Sequence, residues 1–344
     1  MIRIIHFIGL TTSLICTSIA ALSQTPDPDS LIDGVVRFVL KESIYAHAKD
    51  TSLLRDLVRE KAKGAQKVDD LRPAFEALLN ELGDFHGRIM RSDYSSFAQF
   101  TAWATLKTED SRPRDGSIWQ IVNRTDRKFE CFQLGKKTAL LRIAGISADA
   151  DQEYEARLIR DAIDSFANKG GNRWVLDLRY NGGGNMYPMF QGLVPLLGNG
   201  IVGHSTGAND EVQAVWHINE SNFAYDDYQP FAWPPADKSL ASHKVAVLTS
   251  RYTVSSGEAL AVAFKGRSNT RFFGEASGAL TTVLSLEPIA DTFIVAVSTA
   301  HYANRNLEVY KVNVPVDEET PFIADCSWQK DPAIEAALKW LKKK

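Results

Sequence analysis

Cysteine is nearly absent: there are three in 344 residues, and one of them, Cys16, lies in an apolar N-terminal leader. A disulfide framework is thereby excluded, and without any C-x-x-C or H-E-x-x-H spacing the sequence offers no metal site and requires no organic cofactor. Excess charge is lacking too. The formal net charge is -3, and apart from the last three lysines there is no Lys/Arg tract, so no nucleic-acid partner is expected. No apolar run of membrane-spanning length follows the leader, and no Gly-Lys-Ser follows the glycine cluster at residues 182–184, which removes a P-loop reading.

What remains is ordinary in bulk, with 44% hydrophobic and 24% charged residues, enough for one large core or two smaller ones. Residues 1–23 have the layout of a secretory signal: Arg3, an apolar run from Ile4 to Ile15, then Ala21-Leu22-Ser23 with cleavage expected before Gln24. Threonines and serines interrupt the run, and Leu14-Ile15 lacks the small residue that lipidation of Cys16 would favour. The mature chain is expected to be exported, periplasmic or secreted, and not inserted in a membrane. Cys131 and Cys326 would then meet an oxidising compartment, and whether they pair stays open.

From Ser30 to Leu82 the apolar residues recur at helical spacing: Leu31, Val35, Val36 and Val39, then Leu53, Leu54, Leu57 and Val58, then Leu71, Phe75, Leu78 and Leu79. Three amphipathic helices are predicted, ending in the turn Leu82-Gly83-Asp84-Phe85-His86-Gly87. Residues 91–137 are polar, with one strand expected at Trp119, Ile121 and Val122 and another at Phe129, Cys131 and Phe132. Strand, helix and strand over Thr138–Ile146, Asp151–Asn168 and Arg173–Leu178 imply a layered α/β core. Further on, Tyr225–Asp237 reads as an ordered surface loop, Thr292–Thr299 as a strand and Asp331–Leu341 as a closing helix.

Two stretches carry chemistry. Trp174 to Asn185 is an apolar strand that breaks into Gly182-Gly183-Gly184, where the backbone can turn N-H groups toward a ligand or make a tight turn. Val245 to Gly278 reads as strand, loop, helix and strand, with Ser255 and Ser256 at the start of the helix. Ser255-x-x-Glu258 is first a capping box in form; its chemical reading is a serine placed where free amides and the helix dipole would stabilise an oxyanion. A third segment, Gly203-His204-Ser205-Thr206-Gly207, matches G-x-S-x-G, but a hairpin turn and a strand are expected after it where that motif needs a helix.

Together, Asp177-Leu178-Arg179-x-Asn181-x-Gly183-Gly184, Ser255-x-x-Glu258 and Gly274-Glu275 resemble the tail-specific, or C-terminal processing, protease superfamily, which includes tricorn protease and the retinoid-binding repeats. The resemblance implies a crotonase-like α/β core over residues 111–344, preceded by a helical domain over residues 24–110. It implies Ser255 as nucleophile and the amides of Ser256 and of Gly183 or Gly184 as oxyanion hole. Leu-Gly-Asp-x-His at residues 82–86 resembles the base-bearing segment of the tricorn-like branch, which implies His86 as base. The other branch uses a lysine beside a Gly-Glu-Pro-Thr-x-Gly segment; here the segment is Gly274-Glu275-Ala276-Ser277-Gly278, and Leu280 stands where that lysine would fall. Lys265 reads as a solvated helix-end charge. Glu258 is the first choice for the acidic partner of His86, and Asp84 the second. Residues 91–137 are too few for a peptide-binding PDZ module. The expected activity is peptide-bond hydrolysis of peptide or protein substrates through an acyl-enzyme. Its rivals are a non-catalytic ligand-binding module of the same fold and an esterase using Ser205.

Overall fold

The computed structural model describes residues 27–102, 115–124, 129–235 and 239–343, so the leader expected at residues 1–23 lies outside the described residues. The three predicted N-terminal helices are present: α1 (Pro28–Glu42), α2 (Thr51–Lys61) and α3 (Arg72–Leu82). Asp27 and Asp50 cap the first two with their carboxylates, and Gly83 ends the third in the left-handed conformation. The chain then forms a hairpin of β1 (Arg88–Arg91) and β2 (Ser96–Gln99).

Trp119 to Val122, expected as a strand, belongs to a short helix, α4 (Gly116–Val122). Its N-cap, Asp115, accepts from the Ser117 amide, and this local cap outweighs the β-forming side chains that follow. The core proper begins with β3 (Phe129–Gly135), β4 (Thr138–Ile143), α5 (Gln152–Asn168), β5 (Arg173–Asp177) and α6 (Met186–Leu197). Then come β6 (Gly200–Thr206), β7 (Val212–Asn219), β8 (Asn222–Tyr225), β9 (Lys244–Thr249) and α7 (Ser256–Phe264). The chain closes with β10 (Thr270–Gly274), β11 (Thr282–Ile289), β12 (Phe293–Asn304), β13 (Val309–Tyr310), β14 (Glu318–Glu319) and α8 (Pro332–Lys342).

Two sheets result. One has the order β14-β10-β9-β5-β4-β3 and is parallel except for β3. The other runs β2-β1-β12-β6-β7-β8, with β11 and β13 also paired to β12. Helices α6 and α7 fill the space between them, and α7, apolar on every side, is buried along its whole length. Helix α8 covers the other face of the parallel sheet through Ile334, Ala337 and Leu341. The N-terminal helices pack Leu31, Val35, Leu54, Val58, Phe75 and Leu78 onto Phe293, Val295 and Val297 of β12. Among the described residues up to 102, the last helix ends at Leu82, and the hairpin beyond it joins the sheet built on β12.

The loop after Tyr225 is held against α5 by Trp233, whose indole N-H donates to the Glu153 carboxylate at 2.8 Å. Cys131 and Cys326 are separate free thiols. Among the described residues no helix is long and apolar enough to cross a membrane.

Candidate active site

Because β5 and β9 are parallel neighbours, the loops that follow them leave the sheet at the same edge, the usual place for a site in such a sheet. The loops are sewn together there. Leu178 N-H donates to Leu248 O (2.9 Å), Thr253 Oγ1 to Leu178 O (2.8 Å), Ser250 Oγ to Arg179 O (2.8 Å) and Val254 N-H to Asn181 O (3.0 Å). Beneath this junction Arg179, 1% exposed, bonds Asp177 through Nε (2.8 Å) and Nη2 (2.9 Å) and grips both oxygens of Asp331 with Nη1. Asp331 is the N-cap of α8, so Asp177-Leu178-Arg179 bolts the end of β5 to the closing helix. Burial opposes the charge on Asp177, but Arg179 and Arg142 outweigh it and hold the carboxyl well below the usual carboxylate range.

Ser255 stands at the head of α7 with φ 52° and ψ -119°, a conformation that residues with a Cβ rarely adopt. Glu258, fully buried, stabilises it: Oε2 accepts the amides of Ser255 (2.9 Å) and Leu280 (2.9 Å), while Oε1 accepts Ala279 N-H (3.0 Å) and the Ser277 hydroxyl. The carboxylate half of the capping box is thus real, and it extends to a second loop. Burial and the nearby Glu258 push the hydroxyl of Tyr302 far up, so the phenol stays neutral.

The glycine loop lies directly on this serine. Gly183 (φ 94°) and Gly184 (φ 106°) both take backbone conformations that a side chain would strain. A Cβ on Gly183 would stand 2.9 Å from Ser255 Cβ, and one on Gly184 would stand 2.0 Å from the Ile146 carbonyl oxygen. Gly183 N-H donates to Asn181 Oδ1 at 3.0 Å, whereas the Gly184 carbonyl faces α7 and accepts the Ser256 hydroxyl.

His86 arrives from the N-terminal side, in the turn between α3 and β1, and is 7% exposed. Its Nδ1 lies 2.8 Å from Thr282 Oγ1. Thr282 is two residues beyond Leu280, whose amide is bound by Glu258, so the segment from Ser277 to the start of β11 is bonded to both Glu258 and the histidine. Beyond Thr282 come Ser298 Oγ at 2.9 Å and then Asp84 Oδ1, 2.7 Å from Ser298 Oγ. The carboxylate linked to the imidazole by hydrogen bonds is therefore Asp84, while Glu258 holds the serine and its neighbouring loop.

Ser255, Ser256, Glu258, Gly183 and Gly184 form one cluster, and His86 is bonded to Thr282, two residues past the Leu280 amide that Glu258 binds. Thr282 and Ser298 were not legible in the sequence, since each is a single hydroxyl on a strand far along the chain from His86 and Asp84. Ser205 is not a nucleophile elbow. It is fully buried within β6, a turn and β7 follow it, and its Oγ accepts from Trp216 Nε1 (2.9 Å) and the Tyr225 hydroxyl (2.9 Å). Lys265 is more than a solvated charge: its ammonium donates to Pro315 O at 2.7 Å and sits 3.9 Å from the centre of the Phe272 ring. Among the described residues no group of three or more His, Cys, Asp or Glu side chains is placed to hold a metal ion.

Fold and site together define a mixed α/β protein with a strained serine at the head of a buried helix, walled by a glycine loop. Residues 137–317 match the model of peptidase family S41, and the chain belongs to that family. It is 28% identical to the nisin-resistance protein of Lactococcus lactis subsp. lactis over 177 residues, covering 50% of each chain. It is 27% identical to a carboxyl-terminal-processing protease of Picosynechococcus sp. over 188 residues, covering 54% of this chain and 40% of that protein. The chain thus spans half or less of the curated relatives it matches. A lipoprotein from Streptococcus agalactiae superposes with a TM-score of 0.69 at 20% identity, over 95% of this chain and 99% of that one, which is a likeness of fold.

Proposed function

We propose that this protein is an exported serine peptidase, with Ser255 as nucleophile and His86 as general base, acting on peptide or protein substrates. The observation that carries the reading is the backbone of Ser255: a left-handed φ of 52° at a helix head, held by a buried carboxylate on its amide. Such strain persists where function requires it. With Nδ1 of His86 bonded to Thr282, Nε2 is the atom that takes the hydroxyl proton as Oγ attacks the peptide carbonyl. The negative oxygen formed is received by the Ser256 amide in the first turn of α7 and by the Gly184 amide. Gly183, whose amide serves Asn181, supplies clearance beside the serine. Each oxyanion donor contributes about 3 kcal/mol to such a step. His86 then returns the proton to the leaving amine, and water releases the acyl group.

Two finer points belong to the same reading. The repeated strand and helix units β4-α5-β5-α6 and β9-α7-β10 support a crotonase-like core. Export is supported by the layout of residues 1–23 and predicts that the chain, expressed with its leader in a bacterial host, is recovered beginning at Gln24. The catalytic test is mass-spectrometric profiling of a mixed peptide library with the mature protein and with Ser255→Ala and His86→Ala. Cleavage by the parent that disappears in both variants is expected. Equal cleavage by all three would remove Ser255 from the mechanism, and silence from the folded parent would favour the non-catalytic ligand-binding module.

A further inference from the structure

Four side chains from three distant parts of the sequence form one hydrogen-bonded line: Asp84, Ser298, Thr282 and His86. They are buried, with exposures of 0%, 0%, 3% and 7% in that order, so bulk water does not compete for their protons. Thr282 opens β11 and Ser298 lies on β12 opposite Leu284, two residues on from Thr282, so the two hydroxyls share one face of the pair.

The line has a direction. Each oxygen of Asp84 receives a backbone amide, Gly87 N-H on Oδ1 (2.8 Å) and Ser298 N-H on Oδ2 (2.9 Å), and an amide can only donate. Burial pushes the Asp84 carboxyl up, and the amides on both oxygens together with the Ser298 hydroxyl oppose that shift by favouring the charged form, which can only accept. Ser298 Oγ therefore gives its one proton to Asp84 and must accept from Thr282. Thr282 has then given its own proton and must accept from His86 Nδ1. The ring that fits is the neutral tautomer protonated at Nδ1, with its lone pair on Nε2.

We propose that Asp84 is a positioning residue that, through Ser298 and Thr282, fixes the proton of His86 on Nδ1 and so presents Nε2 as the base. In the familiar triad a carboxylate does this by direct contact; here two hydroxyls carry the same instruction. The local sequence follows from this arrangement. Asp84 needs a glycine at 87, because a Cβ there would stand 2.7 Å from its carboxyl carbon.

The kinetic consequence rests on the peptidase reading, but the tautomer does not, so the primary test is made in Ser255→Ala protein, where no turnover is needed. Long-range proton–nitrogen NMR of the 15N-labelled His86 ring, assigned with His86→Gln, should report a protonated Nδ1 and a bare Nε2. Asp84→Asn gives the line an end that can donate as well as accept, and Thr282→Val cuts it; both should abolish the preference, while Thr282→Ser should keep it. With Ser255 restored, Asp84→Asn and Thr282→Val should lower kcat on the order of 10²-fold with little change in KM, and Thr282→Ser should recover most of it. A proton found on Nε2, or an unaltered tautomer in folded Thr282→Val, overturns the proposal whether or not the protein cleaves peptides. Should Asp84→Asn fail to fold, the Thr282 pair decides alone.

Discussion

Ser255 is held in a conformation that costs a residue with a Cβ on the order of 1–3 kcal/mol, and glycine would adopt it without that cost. Ser255→Ala keeps the strain and loses the proposed nucleophile; Ser255→Gly loses both. The glycine variant should therefore be the more stable of the two by about 1–2 kcal/mol in urea unfolding, while the proposed mechanism predicts that both are inactive. Equal midpoints would mean that the turn is not strained. Its neighbour makes the opposite prediction. Gly183→Ala would force a Cβ to 2.9 Å from Ser255 Cβ at φ 94°, so cleavage should fall sharply and stability by about 1–3 kcal/mol. Full activity in that variant would show that the glycine loop does not wall the nucleophile.

Strands β5 and β9 place the site because their ends are cross-braced, and the strongest brace is ionic. Replacing one partner of a buried ion pair leaves the other charge uncompensated, so Asp177→Asn should cost about 3–5 kcal/mol even though Arg179 keeps Asp331. The pH dependence follows from the sign of the shift. Asp177 is depressed in the folded state, so its contribution is complete above the unfolded carboxyl range, about pH 4, and is lost as pH falls toward the folded value. The parent's thermal midpoint should drop below about pH 4 more steeply than that of Asp177→Asn. Parallel curves for the two proteins would assign acid unfolding to other carboxyls.

The proposed base and nucleophile belong to different layers of the molecule. His86 is carried on the turn between α3 and β1 and Ser255 on the filling between the sheets; strands β11 and β12 lie between them. Phe293 of β12 packs against Phe75 of α3 (ring centroids 5.6 Å apart) and Phe97 of β2 (4.7 Å). Phe293→Ala should cost about 3–5 kcal/mol of stability. Measured well below its melting temperature, it should also lower kcat, because the layer bearing His86 loses its seat. A destabilised variant with parental kcat would show that the two layers are positioned independently.

Local signals made much of this legible in advance. The helical spacing of Leu31, Val35 and Val39, carboxylate caps such as Asp27 and Asp50, and the apolar strand breaking at Gly182 are each written within one turn or one strand. Such patterns act over a few residues and are readable without the rest of the chain. Strands of four residues, as in the β1 and β2 hairpin, have too little periodicity to read, and at Trp119 side-chain preference pointed one way and the cap the other. The residue types for a serine site were visible, but their assignments were not all so. Glu258 turned out to brace the Ser255 amide, and Asp84 to reach His86 through Ser298 and Thr282. Those partners lie some two hundred positions apart in the sequence, as Thr282 is 196 residues from His86 and Ser298 is 214 from Asp84. Only the pairing of β11 with β12, and the packing of the helices on that pair, brings them within hydrogen-bond reach, because long-range pairing is set by the burial of whole faces rather than by any local pattern.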